Sequence, residues 1–220
     1  KVGMMKKILG CMRRAIQDFD LINDGDSIGV AVSGGKDSMV LLKALKQYQN
    51  FSPVNFKLES FTANLGFDNF QSQIIRAYCD ELNVPCNIID TKISEIVFNV
   101  RNEKSPCSLC AKMRKGAINN KMKERGFNKL ALAHHEDDAL NTLFLSMLYE
   151  GRISTLKPFT YLSRSEIYVI RPFLYLQERD IKACVDKYNI PVVKNPCPVD
   201  KKTKREEINN LLKEIYREIP

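Results

Sequence analysis

The chain has no tryptophan and only two histidines, and nowhere in its 220 residues does an apolar run near the roughly 18 needed to span a membrane. A membrane protein is therefore not expected. The two histidines, His134 and His135, are adjacent. Neighbours at a strand end face opposite ways, so they do not easily share one metal. A secretion signal is not expected either. The opening "KVGMMKKILGCMRRAIQDF" is basic and partly apolar, with no continuous apolar core and no small-residue cleavage site, and it reads as a helix of the mature protein. The cysteines number seven, an odd count. Reduced cytoplasmic thiols are expected, not a disulfide framework. No internal repeat and no long linker interrupts the chain. What it has in excess is positive charge, +8 with a pI near 9.1, which suits a polyanionic partner such as RNA.

Periodicity alternates between strand and helix. Apolar residues from Met5 to Phe19 follow helical spacing, and "SIGVAV" (27–32) is a short β-branched strand. Further strands are expected at 56–63, 86–90, 129–135 and 166–172, and further helices at 37–48, 70–82, 94–101, 108–126, 137–149, 176–188 and 203–219. Gly126 is a stop signal, and Thr203 with Glu206 fits a capping box. This alternation predicts an α/β fold: a doubly wound, Rossmann-like parallel sheet of about five strands with helices on both faces. We expect an N-terminal helix at 1–24, the main domain at 25–200 and a basic C-terminal helix at 201–220. Such sheets bind ligands at the carboxyl ends of their strands, where strand order reverses.

At one such strand end, after Ala31, stands "SGGKDS" (33–38). Gly34 and Gly35 let the backbone approach an anion, Ser33 and Ser38 offer hydroxyls, and Lys36 adds a point charge. Asp37 lies in the first helical turn, where a carboxylate is favoured, and beside phosphates it suits a magnesium ion. A plain glycine turn with a capping Asp is the bland alternative. Strand–SGGKDS–helix resembles the pyrophosphatase loop of the adenine nucleotide alpha-hydrolase fold, the N-type ATP pyrophosphatases. The resemblance implies that ATP is cut between its α and β phosphates, with Mg²⁺ placed by Asp37.

The segment "HHEDDALNT" (134–142) is similar to one of the tRNA 2-thiocytidine synthetase group within that fold. The similarity implies that His134 and His135 line the site and that Asp137 or Asp138 orients magnesium or substrate. Phe61, Ala63 and Asn64, at the end of another strand, are expected near the adenosine. Cys107 and Cys110 form a C-x-x-C pair at a helix start, and Cys197 in "NPCPVD" is the obvious third thiol. Cys11, Cys79, Cys86 and Cys184 read as small core residues. Three thiolates leave two metals open, a structural zinc or a [4Fe–4S] cluster, and both normally take four protein ligands. "PCSLCAKMRKG" (106–116) is similar to the cysteine segment of the thiocytidine synthetase group, which implies a three-cysteine [4Fe–4S] cluster that carries sulfide, with zinc the lesser choice. Basic residues flank both segments: Lys112, Arg114 and Lys115, then Lys201, Lys202, Lys204 and Arg205. Arg152 and Arg171 are expected site contacts.

The resemblance covers roughly residues 25–212. It implies ATP-dependent tRNA thiolation in the cytoplasm: adenylation of a pyrimidine oxygen, then sulfide transfer, with Lys36, Asp37, Asp137, Asp138 and Cys197 catalytic. A sulfide or cysteine desulfurase donor and a homodimer belong to that expectation. The rivals are another ligase on the same fold and a zinc-stapled RNA-binding module.

Overall fold

A computed structural model of the chain describes residues 3–100, 106–194, 196–197 and 204–218. The expected capping box at Thr203 and the basic pair Lys201 and Lys202 lie outside the described residues. Six strands form one sheet: β1 (Asp26–Ala31), β2 (Phe56–Asn64), β3 (Cys86–Asp90), β4 (Lys129–Ala131), β5 (Phe159–Leu162) and β6 (Ile167–Ile170). Their order is β3-β2-β1-β4-β6-β5. All neighbours are parallel except β5 and β6, which are antiparallel. The chain runs outward from β1 through β2 to β3, then returns to β4 on the other side of β1. The carboxyl ends of β1 and β4 therefore flank the point of reversal. Strand β5 is one more than the sequence suggested. It has only four residues, none buried.

Helices cover both faces. On one face α1 (Met4–Asp18), α2 (Lys36–Gln49), α3 (Ser72–Glu81) and α6 (Glu178–Tyr188) bury Ile8, Leu41, Ile75 and Ile181 in one large core. On the other, α4 (Pro106–Glu124) presses Ile118 and Met122 onto Phe61, Leu130 and Val169. Helices α5 (Glu136–Glu150) and α7 (Lys204–Glu218) pack on each other. The short helix expected at 94–101 is a π-helical turn over Glu95–Val100. Helix α4 stops at Glu124, and Gly126 follows with φ +73°. No helix among the described residues is long and apolar enough to cross a membrane.

A buried ion pair ties the sheet together at the end remote from the reversal point. Lys129 Nζ lies 2.7 Å from Asp26 Oδ2, and both side chains are under 10% exposed. Lys129 also donates to the Leu21 carbonyl, while Asp26 accepts from Asn128 Nδ2 and the Asn23 amide. Removing one partner strands the other charge in the core. Asp26→Ala should destabilise the fold by about 3–5 kcal/mol in urea unfolding. Replacing both residues with apolar ones should cost far less.

Cys79 and Cys86 read as small core residues, yet they lie close enough to influence each other. Cys79 Sγ is 3.2 Å from Ser60 Oγ. Cys79, with help from Ser60 and Arg76, draws the Cys86 thiol below the ordinary range despite its burial. Above that lowered value Cys86 is thiolate, and below it the reactive form is lost. Alkylation of Cys86, followed by mass spectrometry, should reach half its maximal rate at lower pH than a free cysteine does. Cys79→Ala should move that midpoint back up.

Candidate active site

The loop after β1 is shaped by its own hydroxyls. Ser38 Oγ donates to the Gly35 carbonyl at 2.9 Å and accepts from the Ser33 amide at 3.2 Å. The Gly35 amide donates to Ser33 Oγ at 3.3 Å. Gly34 has φ +84°, a conformation other residues rarely adopt, and Gly35 is extended at the start of α2. A Cβ on Gly34 would stand 2.7 Å from the Val193 Cβ. That closeness has a purpose: the Val193 amide donates to the Gly34 carbonyl at 2.8 Å, strapping the segment before Cys197 onto the loop. No side chain caps α2, which leaves its first-turn amides to an anion.

A cavity of about 610 Å³ opens at the reversal point. Ala31, Ser33, Gly35, Asp37 and Ser38 form one wall, and His134 and Asp138 another. Ala111, Arg114, Lys115 and Ile118, from the middle of α4, close it opposite. Leu65, Phe67 and Phe70 supply an apolar side, and Val193, Lys194 and Pro196 a lip. Of the three residues expected beside an adenosine, Ala63 lines the cavity. Phe61 is fully buried against the Phe127 ring at 5.3 Å, and Asn64 binds Asp90 Oδ1 and the Gly66 amide.

Electrostatics are concentrated where the N-termini of α2, α5 and α6 converge. Lys36 Nζ lies 3.0 Å from Asp37 Oδ2 and 2.9 Å from Glu178 Oε1. Burial pulls the Lys36 ammonium down, but Asp37 and Glu178 outweigh it and hold the pKa above the ordinary lysine value. His135, at the start of α5, is buried among Asp137 (3.2 Å), Asp138 (3.5 Å) and Asp37 (3.9 Å). Burial lowers its pKa, but these carboxylates raise it further, so the net shift is upward. Asp137 lies beside the His135 imidazole and accepts from the Glu178 amide at 2.7 Å, and together they hold its carboxyl down at about 2. The two aspartates thus diverge: Asp137 ties α5 to α6, and Asp138 faces the cavity. Asp37 Oδ1 is buried without a hydrogen-bond partner. An orphaned carboxylate oxygen beside a second carboxylate suits a hard divalent cation. Arg171 Nε donates to His134 Nδ1 at 3.3 Å, so His134 carries its proton on Nε2.

The cysteines adjoin the lining in sequence: Cys110 precedes Ala111 and Cys197 follows Pro196, both of which line the cavity. Cys107 is exposed, and Cys110 and Cys197 are half-buried. Burial, and then the nearby sulfurs of Cys197 and Cys107, push the Cys110 thiol up, while Arg114 opposes them. The three thiols are thus within electrostatic reach of one another. Among the described residues no three ligating side chains are drawn to metal-binding spacing. The chemistry of the set still fits a metal centre: a C-x-x-C pair in the first turn of α4 with a third thiol within electrostatic reach is a soft-metal donor set. Arg152 pairs with Glu150 outside the cavity.

Glu178 and Lys194 were missed by the sequence reading. The only hint of Glu178 was an acidic residue opening the helix after the last parallel strand; its partner Lys36 lies far away in the chain.

Comparison with known proteins agrees with this geometry. The profile of the PP-loop domain family matches residues 8–215. A tRNA-cytidine(32) 2-sulfurtransferase of Pelobacter propionicus is 34% identical over 100% of this chain and 83% of its own. One from Geobacter metallireducens is 37% identical over 98% and 85%. Among solved structures, the U34-tRNA thiolase NcsA from Methanococcus maripaludis, determined with its [4Fe-4S] cluster, superposes with TM-score 0.78 at 20% identity, over 99% of this chain and 74% of that one. An NH3-dependent NAD synthetase from Campylobacter jejuni shares the fold at TM-score 0.54 and 15% identity, over 98% and 82%. The chain belongs to the PP-loop family and, within it, to the tRNA-cytidine(32) 2-sulfurtransferases.

Proposed function

We propose that the chain is an ATP-dependent tRNA sulfurtransferase that replaces the C2 oxygen of a cytidine, at position 32, with sulfur. The observation that carries this reading is the meeting of two half-sites at one cavity. The phosphate loop forms one wall, and the stretch of α4 that follows Cys107 and Cys110 forms the other. The Val193–Gly34 bond draws the Cys197 segment to the same place. The relatives' names support tRNA as partner and cytidine as target.

In the first step the base oxygen attacks the α-phosphorus of ATP. The bond from that phosphorus to the bridging oxygen breaks, and pyrophosphate leaves. The α2 amides and Lys36 bind the departing charge, an electrostatic role. Asp37 and Asp138 would hold Mg²⁺, which supplies charge neutralisation between the phosphates. His134 offers its Nε2 proton to the nucleotide or the base, steadied by Arg171. In the second step sulfide adds at C2, and AMP departs with the original oxygen. Cys107, Cys110 and Cys197 would hold a [4Fe–4S] cluster, which when bound supplies sulfide at the iron that lacks a protein ligand. Flipping the base from its loop gives access to the cavity, and Arg114, Lys115 and Lys194 supply positive charge for RNA phosphates. We expect a cytoplasmic enzyme, supplied by sulfide or a cysteine desulfurase and acting as a homodimer.

Protein purified without oxygen should contain iron and acid-labile sulfide in near-equal amounts. Stoichiometric zinc in their place would overturn the cluster and with it the sulfur-delivery step.

A further inference from the structure

Glu178 occupies the first position of α6, where any carboxylate is favoured by the helix dipole. The dipole alone would let the side chain point to water. Instead it turns back across the groove to α2. Its Oε1 lies 2.9 Å from Lys36 Nζ, and its Oε2 lies 3.1 Å from Lys182 Nζ one turn along. Its backbone is fixed as firmly. The Glu178 amide donates to Asp137 Oδ2 at 2.7 Å, and the Glu136 amide donates to the Leu176 carbonyl at 2.9 Å. The first turn of α6 is therefore bolted to the first turn of α5, and Glu178 is a rigid arm reaching the phosphate loop. A lysine carries four flexible bonds, and holding it in one rotamer costs about 2 kcal/mol of entropy. An arm that has already done so lowers the cost of using Lys36 in catalysis.

We propose that Glu178 is a positioning residue that holds the Lys36 ammonium at the mouth of the phosphate loop, ready to meet the departing pyrophosphate. The proposal rests on reading residues 33–38 as the ATP phosphate site. Its test is a double-mutant cycle on the full chain with tRNA and ATP, read as pyrophosphate release. Glu178→Gln keeps the amide bond to Asp137 and an oxygen acceptor but loses the charge; Glu178→Ala loses both side-chain functions. In the wild-type background Glu178→Ala should lower kcat about tenfold and leave KM for ATP within about twofold, with Glu178→Gln between it and wild type. In the Lys36→Ala background, changing Glu178 should bring no further loss, because the group it positions is gone. The urea midpoint should be near that of wild type, since the backbone bond to Asp137 survives. Equal losses in both backgrounds, or a rise in KM with kcat unchanged, would overturn the assignment while leaving the ATP reading intact. Wild-type protein that releases no pyrophosphate would sink the ATP reading itself and Glu178's role with it.

Discussion

Cys197→Ala should abolish sulfur transfer while the protein still binds ATP. The segment that carries Cys197 is strapped to the loop by the Val193–Gly34 bond, and Pro196, just before the cysteine, lines the cavity. Cys197 is half-buried, within electrostatic reach of Cys110. The alanine variant leaves that strap in place, so the phosphate loop keeps its shape. Thiolated nucleoside should fall by at least about a hundredfold, since even outer-shell partners of a metal site can be worth that much. ATP affinity should change by less than about threefold, because the thiol shares no partner with the loop's hydroxyls. Nucleoside analysis of the tRNA and equilibrium binding of ATP measure the two quantities separately. Full thiolation in the variant would remove Cys197 from the chemistry. Loss of both properties would mean that it shapes the loop.

The second large effect falls on the other half of the site. Lys36→Ala should slow pyrophosphate release about 10²–10³-fold, the usual cost of deleting one preorganised charge at a transition state. Its ammonium is held between two carboxylates, so its position is set before ATP arrives. Fold stability should change little, because the side chain is about 27% exposed and its ion pairs are partly solvated. An RNA-binding module without catalysis would show only weaker tRNA binding in this variant, and no pyrophosphate from the parent protein.

Much of this was legible in the sequence because the signals are local. The phosphate loop declares itself by Gly-Gly-Lys between an apolar strand and a helix, and the parallel sheet by strand and helix alternating at regular length. What escaped depends on partners far apart in the chain. Glu178 looks like any acidic residue opening a helix until α2 and α6 are packed together. Asp137 and Asp138 are equivalent in sequence, but consecutive helical residues diverge by about 100°. One therefore meets α6 and the other the cavity. Phe61 was expected at the adenosine with Ala63. It lies two residues earlier on β2, about 6.6 Å further from the strand end at ~3.3 Å per residue, and that step carries it from the cavity into the core. Cys79 and Cys86 lie on different elements, and the packing of α3 on β3 brings them within electrostatic reach.

The most direct measurement is the balance of products when cluster-loaded protein turns over with ATP, a sulfide source and tRNA. One AMP and one pyrophosphate should form for each 2-thiocytidine, all three rising together. Thiocytidine appearing without ATP, or AMP and pyrophosphate accumulating with the tRNA unchanged, would contradict the union of activation and sulfur delivery in a single cavity.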